Sequence, residues 1–239
     1  MRLTRLHIPD TELASGLMIP LSEDQSHYLL RVLRMEMGQG VTLFNHESGA
    51  WQGTLVVTGK KGSVRLEKQI QQPQILSDIW LLMSPIKKEA WDFALEKATE
   101  LGVAAIQPLM MEYTQNARIK DDRARANLIE ASQQCERTDV PHFFGMEKMD
   151  LVLKKWDQSR VLYVALERSD AKPALEIFDK TQPGAILIGP EGGFSQREKE
   201  LFQRYDFIKP ISLGSLILRA ETAALAALAL WNQKNNYGL

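Results

Sequence analysis

The chain has 239 residues, 44% hydrophobic and 25% charged, a globular balance that can bury a core and excludes a disordered chain. Its formal net charge of −1 excludes a protein that is basic all over, and residues 1–73 hold eight Lys and Arg against seven Asp and Glu, so any polyanion must be met by local clusters. A single cysteine, Cys135, and four scattered histidines exclude a disulfide and a Cys-rich or HExxH-type metal site, so no metal is expected.

Met1 to Arg5 lacks the apolar stretch of a signal peptide, and the longest apolar run, Thr222 to Trp231, is shorter than the roughly 20 residues of a membrane span. A cytoplasmic protein is the expectation. The first 70 or so residues read as β-rich: 41–44, 51–57 and 63–66 are short apolar or alternating runs punctuated by glycines, a pattern that suits a small barrel. Ser22 to Met35 interrupts them with a helical stretch that Ser22 and Gln25 can open as a capping box. Polar, proline-bearing 69–74 is the candidate linker, which divides the chain into domains 1–72 and 73–239.

Strands and helices then alternate: strand 79–83, helix 88–101 with Gly102 as its cap, strand 105–109, helix 121–134, strand 161–165, helix 173–179, strand 185–188, helix 196–205, strand 211–213 and a long helix through Trp231. That alternation predicts an α/β fold with a mostly parallel sheet flanked by helices.

Two segments stand out chemically. Gly189-Pro190-Glu191-Gly192-Gly193-Phe194-Ser195 lies between a strand and a helix, and Ser195 with Glu198 forms a second capping box. Glycines at a strand's carboxyl end let the backbone approach a ligand, although neither the Gly-x-Gly-x-x-Gly nor the Gly-Lys-Ser/Thr phosphate-loop spacing is present. The plain alternative is a glycine-rich turn. The second segment, Ser212-Leu213-Gly214-Ser215-Leu216-Ile217-Leu218-Arg219-Ala220-Glu221-Thr222, leads into an Ala/Leu-rich helix that should be buried in a core or an interface. Arg219 and Glu221 there either cap the helix and pair with each other or face a polar ligand.

Together these segments resemble the RsmE family of SPOUT RNA methyltransferases, as do Glu96-Lys97-Ala98-Thr99-Glu100-Leu101-Gly102-Val103, Glu130-Ala131-Ser132-Gln133-Gln134 through Arg137 to Pro141, and His27 to Arg34 with Gly38. Cys135-Glu136 and Gln39 depart from the family pattern. The resemblance implies a PUA-like N-terminal RNA-binding β-barrel and a SPOUT catalytic domain whose C-terminal part is threaded as a trefoil knot, a topology otherwise almost absent from proteins. It implies S-adenosylmethionine as cofactor, a homodimer, and 16S rRNA of the small ribosomal subunit as partner, methylated at N3 of uracil 1498. Carried onto this chain, the cofactor residues are Leu166, Ile188, Gly189, Pro190, Glu191, Gly193, Leu213, Gly214, Leu218 and Arg219.

Methylation at N3 requires that its proton leave and that the resulting negative charge be stabilised. Arg219 is the first candidate for that stabilisation, and Glu221 and Glu191 compete to accept the proton or to orient the Arg. Arg5, Arg31 and Arg34 are the expected phosphate contacts of the first domain, with Arg31 and Arg34 sharing a helix face, and Lys87, Lys88 and Lys97 follow. Methylation of another RNA target, ribose or tRNA base, and an inactive RNA-binding relative are the competing readings.

Overall fold

A computed structural model of the chain describes residues 3–74, 78–115, 118–167 and 169–236. They fall into two compact units, Met1–Ile75 with Ser132–Val140, and Leu76–Ala131 with Pro141–Leu239. A division into two consecutive stretches therefore misses one segment. Ser132–Val140 is held in the first unit by bonds between side chains and backbone: the Arg5 guanidinium donates to the carbonyls of Glu136 (3.4 Å) and Arg137 (3.0 Å), Gln74 N–H donates to the Thr138 hydroxyl at 2.9 Å, and Thr138 N–H donates to the Gln74 side-chain oxygen at 3.3 Å. These partners lie 64 to 132 positions apart, and no local pattern announces them.

In the first unit, β1 (Thr4–His7), β2 (Met18–Pro20), β3 (Gly40–Asn45), β4 (Gly49–Thr58) and β5 (Lys61–Gln71) form one sheet in the order β1-β3-β4-β5-β2. Only β1 and β3 pair in parallel. Leu6, Leu29, Val41, Leu43, Leu55, Val64 and Leu66 build its core. Two strands escaped the sequence pattern. β1 places a buried Arg beside Leu6, and β2 is a three-residue edge strand ending in proline. The expected linker is also shorter, because Gln69–Gln71 still pair in β5.

Helix α1 (Glu23–His27) opens on the Ser22/Gln25 capping box and passes into a π-helical turn, Tyr28–Val32, that closes at Leu33. The expected continuous helix to Met35 does not form. Arg34 lies beyond the turn with φ +53°, so the shared helical face proposed for Arg31 and Arg34 does not exist.

The second unit contains β6 (Ile79–Met83), α2 (Lys88–Glu100), β7 (Ala105–Met110), all but the last three residues of α3 (Asp121–Gln134), β8 (His142–Phe143), β9 (Glu147–Lys148), α4 (Met149–Lys154), β10 (Val161–Ala165), α5 (Ala174–Ile177), β11 (Gly184–Ile188), α6 (Gln196–Phe202), β12 (Ile208–Ile211) and α7 (Ala220–Asn236). Its strands run parallel in the order β12-β10-β11-β6-β7-β8, with β9 also on β7. Side-chain alternation then assigns the faces. Leu162, Val164, Ala185 and Leu187 point into a core with Met149, Leu153 and Phe202, from α4 and α6. Tyr163 points the other way, into an aromatic cluster with Phe178 (4.9 Å between ring centres) and Trp231 of α7 (5.8 Å). Strands buried on both faces read as continuous apolar runs, which is why β6, β10 and β11 were legible and β12 was misplaced. β12 lies at the sheet edge and sets two exposed residues, Lys209 and Pro210, between buried Ile208 and Ile211.

At the amino ends of these strands Arg160 is buried, pairs with Asp78 at 2.7 Å, donates to the Gly184 carbonyl at 3.0 Å and lies 4.1 Å from the centre of the Trp80 ring. This fastens β6, β10 and β11 at the edge opposite the loops that carry the sequence motifs.

Candidate active site

β12, β10 and β11 are neighbours, so the chain segments leaving their carboxyl ends emerge side by side, the usual place for a ligand in an open parallel sheet. Leu166 follows β10, Ile188 ends β11 and Leu213 follows β12, and Leu166 N–H donates to the Ile211 carbonyl at 3.1 Å. Three segments separated by some 20 residues each in sequence therefore meet at one edge.

The glycine loop is locally determined. Gly193 N–H donates to the Pro190 carbonyl at 2.8 Å and closes a turn. Gly193 has φ +71°, and a Cβ built on it would lie 3.3 Å from a Glu167 carboxylate oxygen. Only glycine adopts that backbone without strain while leaving the space open. Phe194 is buried edge-on against Phe202 at 5.0 Å and lies under Gly189. The Ser195 hydroxyl accepts from Glu198 N–H at 3.2 Å, and Glu198 accepts from Ser195 N–H and Glu112 N–H at 2.9 Å each. Glu198 therefore both starts α6 and ties the loop to the segment after β7. On the β6 side, Ser84 N–H donates to the Ile188 carbonyl at 3.4 Å, and the Ser84 and Thr114 hydroxyls are 2.8 Å apart. Pro190 is buried while Glu191 and Gly192 are exposed, so the loop is pinned at its ends and presents its tip.

After β12, Ser212 N–H donates to the Lys172 carbonyl at 2.9 Å and its carbonyl accepts from Ala174 N–H at 3.0 Å. Its hydroxyl accepts from Gly214 N–H at 3.3 Å, and Gly214, at φ +120°, has open space where a side chain would stand. Leu213 and Leu218 are half-buried, whereas Leu216 and Ile217 are 79% and 58% exposed. Arg219 is exposed and its carbonyl accepts from Ala223 N–H at 2.8 Å, which starts α7; Glu221 is half-buried in the first turn. Among the described residues Arg219, Glu221 and Glu191 form no ion pair. The Arg219–Glu221 bridge weighed from the sequence is absent, and so is the burial that would have demanded one. Exposed Arg219 and Glu191, and half-buried Glu221, are left to solvent or to a ligand.

The basic residues divide. Arg31, Arg34, Lys87 and Lys88 are exposed. Arg5 is not a surface contact: it is buried, committed to the Glu136 and Arg137 carbonyls, and lies 4.9 Å from the centre of the Phe44 ring. Lys97 is held between Glu100 (2.8 Å) and Glu96 (2.7 Å), whose hydrogen bonds raise its pKa, so its charge is already answered locally. Glu167, Tyr113 and the Ser84–Thr114 pair were missed. None belongs to a motif, and only adjacency to a strand end or to Gly192 in space marks them.

Comparison with known proteins agrees with this architecture. Residues 73–232 match the family model of the RNA methyltransferase domain, and residues 21–67 that of the RNA methyltransferase PUA domain. The chain is 35% identical over 233 residues to the ribosomal RNA small subunit methyltransferase E of Rickettsia conorii, covering 96% of this chain and 95% of that one. A methyltransferase from Legionella pneumophila, solved with its cofactor SAM bound, superposes with a TM-score of 0.86 at 29% identity over 98% of both chains. The ribosomal RNA small subunit methyltransferase E of Neisseria gonorrhoeae, bound to S-adenosyl methionine, gives 0.86 at 27% identity over 97% of this chain and 98% of that one. The chain belongs to the RsmE family of ribosomal RNA small subunit methyltransferases.

Proposed function

We propose that this protein methylates N3 of a uracil, position 1498, in 16S rRNA of the small ribosomal subunit, with S-adenosylmethionine bound across the carboxyl edge of β10, β11 and β12. The observation that carries the reading is the convergence of the Leu166, Gly189–Gly193 and Leu213–Arg219 segments there, with Gly193 in a left-handed conformation that keeps a side chain out of the cradle. The residues fit the group: half-buried Leu166, Leu213 and Leu218 offer apolar contact for an adenine, and Gly189, Gly193 and Gly214 allow close backbone approach.

When bound, the cofactor supplies a methyl group already activated by its sulfonium. The task left to the chain is to hold the acceptor and its charge. The Arg219 guanidinium stands as the cation for the uracil carbonyl oxygens while the N3 proton departs. Glu221 or Glu191 takes that proton or orients Arg219. Because N3 lies on the pairing edge, the base has to be unpaired or flipped out. The PUA unit, through Arg31 and Arg34, holds RNA backbone.

The full reading includes a C-terminal segment threaded as a trefoil knot, a homodimer, and a place in the cytoplasm with the ribosome. Among the described residues no helix is long and apolar enough to cross a membrane, and no cluster of His, Cys, Asp or Glu could hold a metal.

Calorimetric titration of S-adenosylmethionine into the wild type and a folded Gly193→Trp variant tests the cofactor site, with binding expected for the wild type alone. Equal binding by both would move the cofactor elsewhere. Nucleoside mass spectrometry of treated 16S rRNA identifies the product, and Arg219→Ala is expected to lower kcat about a hundredfold. Product other than 3-methyluridine would assign a different target.

A further inference from the structure

A second concave surface lies on the same sheet edge, on the β6–β7 side of the glycine loop. It is a cleft of about 330 Å³ lined by Pro85, Ile86, Lys88, Trp91 and Asp92 from the β6–α2 turn and α2, and by Arg118, Ile119, Lys120, Arg123 and Ala124 around the start of α3. Its charge is one-sided: Lys88, Arg118, Lys120 and Arg123 face a single carboxylate, Asp92. That carboxylate is already engaged, accepting from Arg123 at 2.6 Å and from Asn127 at 3.1 Å, which fixes Arg123 at the mouth. Lys88, Arg118 and Lys120 are exposed and form no ion pair among the described residues.

Two further features suit an anion. The N-cap of α2, Lys87, supplies no side-chain cap, so the positive end of a 13-residue helix meets the cleft unanswered by any side-chain acceptor. Trp91, 5% exposed in the wall, has an indole N–H with no acceptor among the described residues. A buried donor without a partner costs free energy, and a ligand oxygen is a partner the protein itself lacks.

Placement suggests which anion. Ser84, one residue before the cleft begins, donates to the Ile188 carbonyl at the root of the glycine loop, and its hydroxyl bonds Thr114, four residues before Arg118. The cleft therefore flanks the proposed reaction edge. An enzyme that extrudes a base needs a grip on the backbone beside it. We infer that this cleft binds a backbone phosphate of the RNA next to the target nucleotide; the inference rests on the reading of the substrate as RNA.

The test uses the full chain carrying Arg118→Glu with Lys120→Glu, and measures affinity for an unmodified 16S transcript across a salt series. Affinity is expected to fall about tenfold or more near 0.1 M salt, and the slope of log affinity against log salt to shrink by about 2, while S-adenosylmethionine titration stays unchanged. The charge-preserving pair Arg118→Lys with Lys120→Arg is expected to retain both affinity and slope. If charge reversal disturbs folding, Arg118→Gln with Lys120→Gln gives the same readout. Unchanged transcript binding and slope overturn the assignment even where methylation proceeds. Weakened binding to intact small subunits with unchanged transcript binding also overturns it, and assigns the cleft to a ribosomal protein. A wild type that binds transcript through this cleft but neither binds the cofactor nor methylates would sink the proposed reaction and leave the phosphate site standing.

Discussion

Single residues differ in how far their chemistry can be read from their type. Arg219 and Arg5 carry the same charge, yet one is exposed at the reaction edge and the other is a buried tie between β1 and the Glu136–Arg137 backbone. A guanidinium offers five donors in a fixed fork, so it satisfies buried carbonyls as readily as it meets phosphate. His7 shows a second such dependence. Burial first, and the neighbouring His46 second, hold its imidazole below the usual 6.5, and its ring lies 5.4 Å from that of Phe44. The unfolded chain then takes up a proton near pH 6.5 that the folded chain refuses until lower pH. Stability of the first unit should therefore fall as pH drops below about 6.5 and through the folded value. Melting curves of the wild type and His7→Gln from about pH 7.5 to 5 check this, with a shallower acid slope expected for the variant. Parallel slopes would assign the acid loss to other groups.

At the scale of elements, capping boxes and glycines did most of the local specification. Ser22/Gln25 and Ser195/Glu198 form as their spacing dictates, because each pairs two otherwise orphaned N–H groups within one turn. The apolar runs of β6, β10 and β11 follow from burial on both faces. Packing of α7 on the sheet depends on a contact no run reveals. A Cβ built on Gly184 would lie 2.7 Å from the Trp231 ring and 3.0 Å from Ile79. Trp231 is itself 1% exposed, between Tyr163 and Phe178. Gly184→Val should overpack this junction and cost about 1–3 kcal/mol, read as a lowered midpoint in denaturant titration with unchanged slope. A variant as stable as the wild type would mean that α7 shifts to accommodate it. The same α7 is apolar nearly all round, yet Thr222 and Ala229 are exposed and Leu225, Ala226 and Leu230 only half-buried. The sequence predicts a helix buried in a core or an interface, and the chain itself covers one side of it.

At the scale of the whole molecule, that uncovered side and the 79% exposed Leu216 beside it support the proposed dimer. Sedimentation at micromolar concentration is expected to give twice the 27.1 kDa chain mass, and Leu225→Asp with Leu230→Asp to shift it towards one. A wild type sedimenting at one chain mass would remove the dimer from the reading.

What the sequence determined by itself is whatever neighbours in the chain decide. That covers the strand–helix alternation, the two capping boxes, the glycine loop between strand and helix, and a family likeness carried by five short segments in order. The tertiary structure alone decided what depends on residues far apart in sequence: the place of Ser132–Val140 in the first unit, the four short strands β1, β2, β8 and β9, the use of Arg5 as a buried tie, and the cleft made by Lys88 and Arg118 thirty positions apart. The physical reason is one of range. Hydrogen bonding within a turn and side-chain periodicity act over about four residues, whereas burial and charge pairing depend on which surfaces the folded chain brings together.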